Sequence, residues 1–151
     1  MNATLHPRLP LWLESRWARW LLLIGWMALI FALSSQSKLP SPDDPWIDFL
    51  FKKTAHFSVF GVLAILWWRV LPARPASWRW AWLLTVLYAI SDEFHQSYVA
   101  LRHPAARDVI IDACGAATAL ALVWWWLRRN DDRQLMTDDG KIHHGDTEAR
   151  S

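Results

Sequence analysis

Apolar residues in this chain fall into four blocks separated by short polar or proline-bearing stretches. The first runs from Trp17 to Leu33, behind Arg16 and Arg19. The second runs from about Lys53 to Leu71 and is followed by Pro72 and Pro75. The third, Trp78 to Gln96, is apolar until Ser91. The fourth, Val109 to Leu127, closes on Trp124-Trp125-Trp126 and then Arg128-Arg129. Each block is close to the roughly 20 residues that a helix needs to cross a 30 Å hydrocarbon core. None carries a strand signal. The pattern predicts an all-α protein: a small polytopic membrane helix bundle with four transmembrane helices over 17–33, 53–71, 78–96 and 109–127. Residues 1–129 make up this membrane domain. From Asn130 to Ser151 the chain is charged and glycine-containing, which predicts a polar, disordered cytoplasmic tail. Ser34 to Pro45 reads as a turn-rich loop, and Trp46–Leu50 as a short stretch leading into the second span.

Arg16 and Arg19 before an apolar run that ends in Ala32-Leu33-Ser34 also have the outline of a signal peptide. The run is long for that role, and cleavage would leave an odd number of spans.

Composition sharpens this picture only in part. The chain is 54% hydrophobic with 13 Trp, yet its mean hydropathy is only +0.08. Trp scores poorly on that scale, both ends are hydrophilic, and the apolar residues are blocked together. Trp favours the headgroup boundary, where the ring is apolar and the N–H is wet. A net charge of +2 is too mild to argue for a nucleic-acid partner, and no basic stripe stands apart from the membrane flanks. Cys114 is the one cysteine; it cannot form an internal disulfide and is expected as a small packing residue in the fourth helix.

Orientation follows from the basic residues. Nine Arg flank the ends formed by the N-terminal segment, the loop after the second span and the start of the C-terminal tail. Five Lys and Arg (Lys38, Lys52, Lys53, Arg102, Arg107) flank the other ends. The positive-inside rule then predicts a multi-pass protein of the plasma (inner) membrane with both termini cytoplasmic.

The ends expected outside carry the chemistry. Asp92, Glu93, His95 and Gln96 close the third span, Arg107, Asp108 and Asp112 open the fourth, and Lys52, Lys53 and His56 open the second. Ionisable groups at membrane depth are expensive, about 2.5–3.5 kcal/mol each at a helix centre on insertion scales, and so mark a functional site by default. Helical spacing puts Lys52 and His56 on one face, Asp92 with His95 and Gln96 on another, and Asp108 and Asp112 on a third. Asp112 sits about one turn inside the interface and is the hardest to read as solvated.

Lys53-(x2)-His56-Phe57-(x3)-Gly61, Asp92-Glu93-Phe94-His95-Gln96 and Asp108-Val109-(x2)-Asp112-(x2)-Gly115 together resemble the VanZ-like membrane proteins. The resemblance runs from about Lys52 to Gly115 and extends more weakly over all four spans. Where that family usually has a Pro-Gly-Arg turn, this chain reads Ala100-Leu101-Arg102. The resemblance implies a bacterial cell-envelope protein, and the family's namesake is associated with resistance to the glycopeptide teicoplanin.

Three uses of these residues compete. In the first, Lys52, Lys53, Arg102 and Arg107 hold a phosphate or carboxylate of an envelope lipid, lipid-linked precursor or glycopeptide-related ligand, while His56, Gln96, Asp108 and Asp112 orient it. In the second, Glu93 or Asp92 acts with His95 as acid and base on a lipid-linked substrate. A divalent metal could join Asp108, Asp112 and His56, although no metal motif is met and no cofactor is expected. In the third, the residues form an intramembrane network that fixes helix pairing. The expected partners are membrane lipids and a lipid-linked envelope precursor, with scope for an oligomer.

Overall fold

A computed structural model of the protein describes residues 15–36, 44–99 and 105–148. These residues form helices and turns, with no strand among them. The helices are α1 (Arg16–Ser34), α2 (Pro45–Val70), α3 (Ser77–Gln96) and α4 (Ala106–Glu148). Ser15 caps α1, its hydroxyl accepting from the Ala18 N–H at 3.1 Å. Asp44 caps α2 by accepting from the N–H groups of Trp46 and Ile47, and Pro45 follows in the first turn, where its fixed φ suits a helix start. That start absorbs Trp46–Leu50 into α2, which is longer than the expected span over 53–71. Pro72 ends it, and the Ser77 hydroxyl donates back to the Pro72 carbonyl to tighten the turn into α3.

The helices pack as a bundle through Leu120; α4 from Ala121 onward belongs to a second unit. Leu23 and Ile30 of α1, Phe60 and Leu63 of α2 and Ala89 of α3 form one buried cluster. Ala64, Ala81, Ala116 and Leu120 bring α2, α3 and α4 together in another. Small residues at these contacts let the backbones approach closely. Among the described residues, four side chains donate to main-chain carbonyls of neighbouring helices: Arg19 to Arg69 at 3.2 Å, Trp26 to Val59 at 3.0 Å, Tyr88 to Met27 at 2.7 Å and Trp82 to Ala113 at 3.1 Å. Large apolar side chains such as Leu21, Ile24, Phe31, Leu50, Leu87 and Ile110 point outward, as they should where the solvent is lipid. Cys114 is also exposed, not packed in the interior as expected, because Gly115 and Ala116 occupy the inward face of α4 beside it.

Among the described residues, three helices are long and apolar enough to cross a membrane: Arg16–Ser34, Trp46–Val70 and Ala106–Asn130. The fourth expected span, α3, is not among them, because Arg79 and the run from Asp92 to Gln96 lie on it. Packing supplies its direction. Gly61 of α2 meets Gly115 and Ala119 of α4, while Phe57 meets Gly115 and His56 meets Asp112. Those pairs advance together along both helices, so α2 and α4 are parallel. The chain leaving α2 at one end must return to the other before α4 begins. The 20 residues of α3, about 30 Å at 1.5 Å per residue, make that return.

In the second unit, the helix continues past Asn130 to Glu148, where the sequence pattern predicted a disordered tail. Between Pro104 and the C-terminus there is no proline, and the charged residues at the start of the tail tolerate a helix. Before that stretch, Arg128 lies 4.2 Å from the Trp124 ring and Arg129 lies 4.9 Å from the Trp125 ring.

Candidate functional site

Antiparallel neighbours put four helix ends together: the C-terminal ends of α1 and α3 and the N-terminal ends of α2 and α4. Every polar block singled out in the sequence sits at this end, and the bundle sorts the blocks into pairs.

Between α2 and α4, Lys53 is bonded to Asp108. One turn further in, His56 Nδ1 lies 3.3 Å from Asp112 Oδ1. Asp112 is only 2% exposed. Just inside this pair, the two backbones come so close at Gly115 that a Cβ there would stand 2.1 Å from the Phe57 carbonyl oxygen. The missing side chain at Gly115 therefore sets the helix separation that lets the short His56 and Asp112 side chains reach each other. Asp108 also lies in the first turn of α4, where the helix dipole favours an acid.

Between α1 and α3, the Ser34 hydroxyl donates to Asp92 Oδ1 at 2.6 Å and the Gln96 amide donates to Oδ2 at 2.8 Å. Asp92 is 4% exposed. No cation among the described residues lies within ion-pair distance of it. Ser34 is the residue that sequence reasoning missed. The only available signal was a hydroxyl ending an apolar run, which is common and unspecific.

The remaining residues have separate tasks. Glu93 accepts from the Ala105 N–H, immediately before the first turn of α4, and so caps α4 from α3. His95 stacks on Phe31 with centroids 4.2 Å apart, and its Nε2 lies 3.0 Å from the Ser35 hydroxyl. Lys52 pairs with Asp48 on the exposed face of α2 at 2.8 Å. The Arg107 guanidinium lies 5.6 Å from the Phe49 ring, with the Lys53 ammonium 5.5 Å from the same ring. Arg102 lies outside the described residues.

A cavity of about 90 Å³ opens within this end, lined by Ile30, Leu33, Ser34, Ala55, His56, Val59, Phe60 and Asp92. It belongs to α1, α2 and α3. Of the residues predicted from sequence, His56 and Asp92 line it. Glu93 and His95, expected as an acid–base pair, do not line it. Lys53, Asp108 and Asp112 stand behind His56. With Nδ1 committed to Asp112, His56 keeps Nε2 without a partner among the described residues. An imidazole oriented in this way by a carboxylate presents its second nitrogen for a hydrogen bond or a proton. Among the described residues, no group of three His, Cys, Asp or Glu is arranged to hold a metal ion.

No curated protein and no solved structure matches the chain. The family described as VanZ/LLP1 does match, over residues 19–128. That stretch takes in most of α1, all of α2 and α3 and the bundle part of α4, with both buried acids and every pair just described, and it covers well over half of the sequence. With its membrane-compatible helices, this chain is a membrane protein that belongs to the VanZ/LLP1 family.

Proposed function

We propose that this protein sits in the plasma (inner) membrane with both termini in the cytoplasm. Its polar end then faces outward, where it engages the polar group of an envelope lipid or lipid-linked precursor. Through that ligand it would influence susceptibility to a glycopeptide such as teicoplanin. One observation carries the reading: His56 of α2 and Asp92 of α3, with Ser34 of α1, line a cavity whose other walls are apolar, and the buried Asp112 of α4 holds His56 in place. Burying so much polarity at one end needs a reason beyond spanning the bilayer.

Susceptibility and protein level, measured together, test this. Asp92→Asn, His56→Gln and Asp112→Asn, which keep a polar group of similar size at each position, should each abolish the glycopeptide phenotype while the protein stays in the membrane at normal amount. Normal susceptibility in all three, with normal levels, would end the proposal. Orientation is tested by placing a cysteine at Ser35 or Tyr98 in a Cys114→Ala background. Both residues are exposed, and both should react with an impermeant maleimide added to intact cells.

A structural reading also has specific support, because Asp92, Glu93, Asp108 and Asp112 each find a partner within the protein. It predicts that the same substitutions deplete the protein from the membrane.

A further inference from the structure

The cavity is graded along the bundle axis. Ser34, His56 and Asp92 lie at its outer level. Ile30, Val59 and Phe60 lie about one helical turn deeper, and the exposed Leu33 and Ala55 stand at its sides on α1 and α2. A guest that is polar at one end and apolar at the other fits this gradient in the same orientation as a membrane lipid. The volume of about 90 Å³ admits a small polar group and the first few carbons of a chain.

The charges then select the polar group. Lys53 is taken by Asp108 and Lys52 by Asp48, so these two cations at this end are already neutralised. His56 is engaged by Asp112. Asp92 differs from the other acids: it is 4% exposed, and its hydrogen-bond partners, Ser34 and Gln96, are both neutral. A buried carboxylate without a compensating cation is costly unless positive charge arrives from elsewhere. Its two oxygens retain acceptor capacity after one hydrogen bond each, and His56 Nε2, on the same cavity wall, is a further acceptor in the neutral tautomer whose Nδ1 carries the proton toward Asp112. Acceptors, and a buried negative charge that no cation among the described residues pairs with, together favour a guest that donates several hydrogen bonds and carries positive charge.

We infer that the cavity binds the primary ammonium group of an amphiphile, held by Asp92 and His56, with its alkyl chain running inward along Ile30, Val59 and Phe60. This rests on the ligand-site reading above and names the chemical class of that ligand. It opposes the anion-holding role that the sequence pattern suggested for Lys52 and Lys53.

The test uses the purified full chain in nanodiscs of zwitterionic lipid, with binding read by native mass spectrometry. Decylamine, decanol and decyl phosphate present three head groups on one chain, and butylamine presents the ammonium with little chain. Decylamine should bind at least about tenfold more tightly than decanol or decyl phosphate, the scale of a hydrogen bond to a charged group. Butylamine should bind more weakly than decylamine. Asp92→Asn should erase the preference for decylamine, and Ala55→Phe, which fills the cavity side, should weaken all the ligands.

Tighter binding of decyl phosphate, or an unchanged amine preference in Asp92→Asn, overturns the ammonium assignment. If Asp92→Asn does not fold, the head-group ranking on the unaltered protein still decides. Butylamine binding as tightly as decylamine rejects an amphiphile in favour of a soluble amine. If decanol or decyl phosphate leads and is lost in Ala55→Phe, the ligand site stands and the ammonium inference falls. If no amphiphile binds, or binding ignores Ala55→Phe, both fall.

Discussion

Adding a single methyl group at Gly115 should separate α2 from α4 and uncouple the deepest polar pair. A Cβ at that position would stand 2.1 Å from the Phe57 carbonyl oxygen and 2.9 Å from its Cα. Carbon and carbonyl oxygen settle at about 3.3 Å or more, so Gly115→Ala forces the backbones apart by about 1 Å. The obstacle is main chain, which cannot rotate away as a side-chain tip would. His56 and Asp112 start at 3.3 Å, and an added ångström takes them beyond hydrogen-bonding range. Overpacking of this kind costs about 1–3 kcal/mol, and loss of a hydrogen bond to a charged group adds roughly 1.5–3 kcal/mol. The full chain in one detergent should therefore show a clearly lower thermal midpoint for Gly115→Ala. Gly25→Ala is the control, because a Cβ there meets nothing within 4 Å. In a helix interior alanine is favoured over glycine by up to about 1 kcal/mol, so Gly25→Ala should be neutral or stabilising. Gly61→Ala, with contacts at 3.2 Å to Ala119 and Gly115, should fall between them. Equal midpoints for Gly115→Ala and Gly25→Ala would refute the claim that this close approach sets the helix separation.

Removing His56 or Asp112 alone should destabilise the bundle by a few kcal/mol, because the partner is left buried and uncompensated. A double-mutant cycle of His56→Ala with Asp112→Ala should give a coupling of about 1–3 kcal/mol, and strictly additive losses would contradict the pair. Lys52→Ala should cost less than about 1 kcal/mol, since its pair with Asp48 is exposed and within one helix; Lys53→Ala should cost more. Glu93→Gln keeps an oxygen for the Ala105 N–H, so its thermal midpoint should fall by no more than the equivalent of about 1 kcal/mol, whereas Glu93→Ala should lose the cap.

Much of this protein is written locally. A run of about 20 apolar residues is long enough for the bilayer wherever it sits in the fold, which made three of the four helices legible, and Pro72 and Pro75 before Trp78 marked the start of α3. Connectivity alone then brought Lys53, His56, Asp92, Glu93, Asp108 and Asp112 to one end, because successive short-linked helices alternate in direction. Local signals also misled at the edges. Asp44 and Pro45 began α2 earlier than hydropathy suggested, and the charged stretch after Asn130 kept a helical backbone.

Partnership was a different matter. Spacing placed Asp108 and Asp112 on one face of α4 but did not say that Lys53 meets the first and His56 the second. It did not bring Ser34 to Asp92, or Glu93 to the Ala105 N–H at the start of α4. Those outcomes depend on the rotation of each helix about its axis and on how closely two backbones approach, and both are set by packing between distant segments. The clearest case is Gly115: in the sequence it is one small residue in an apolar run, and only the α2–α4 contact shows that its missing Cβ holds two ionisable side chains within reach.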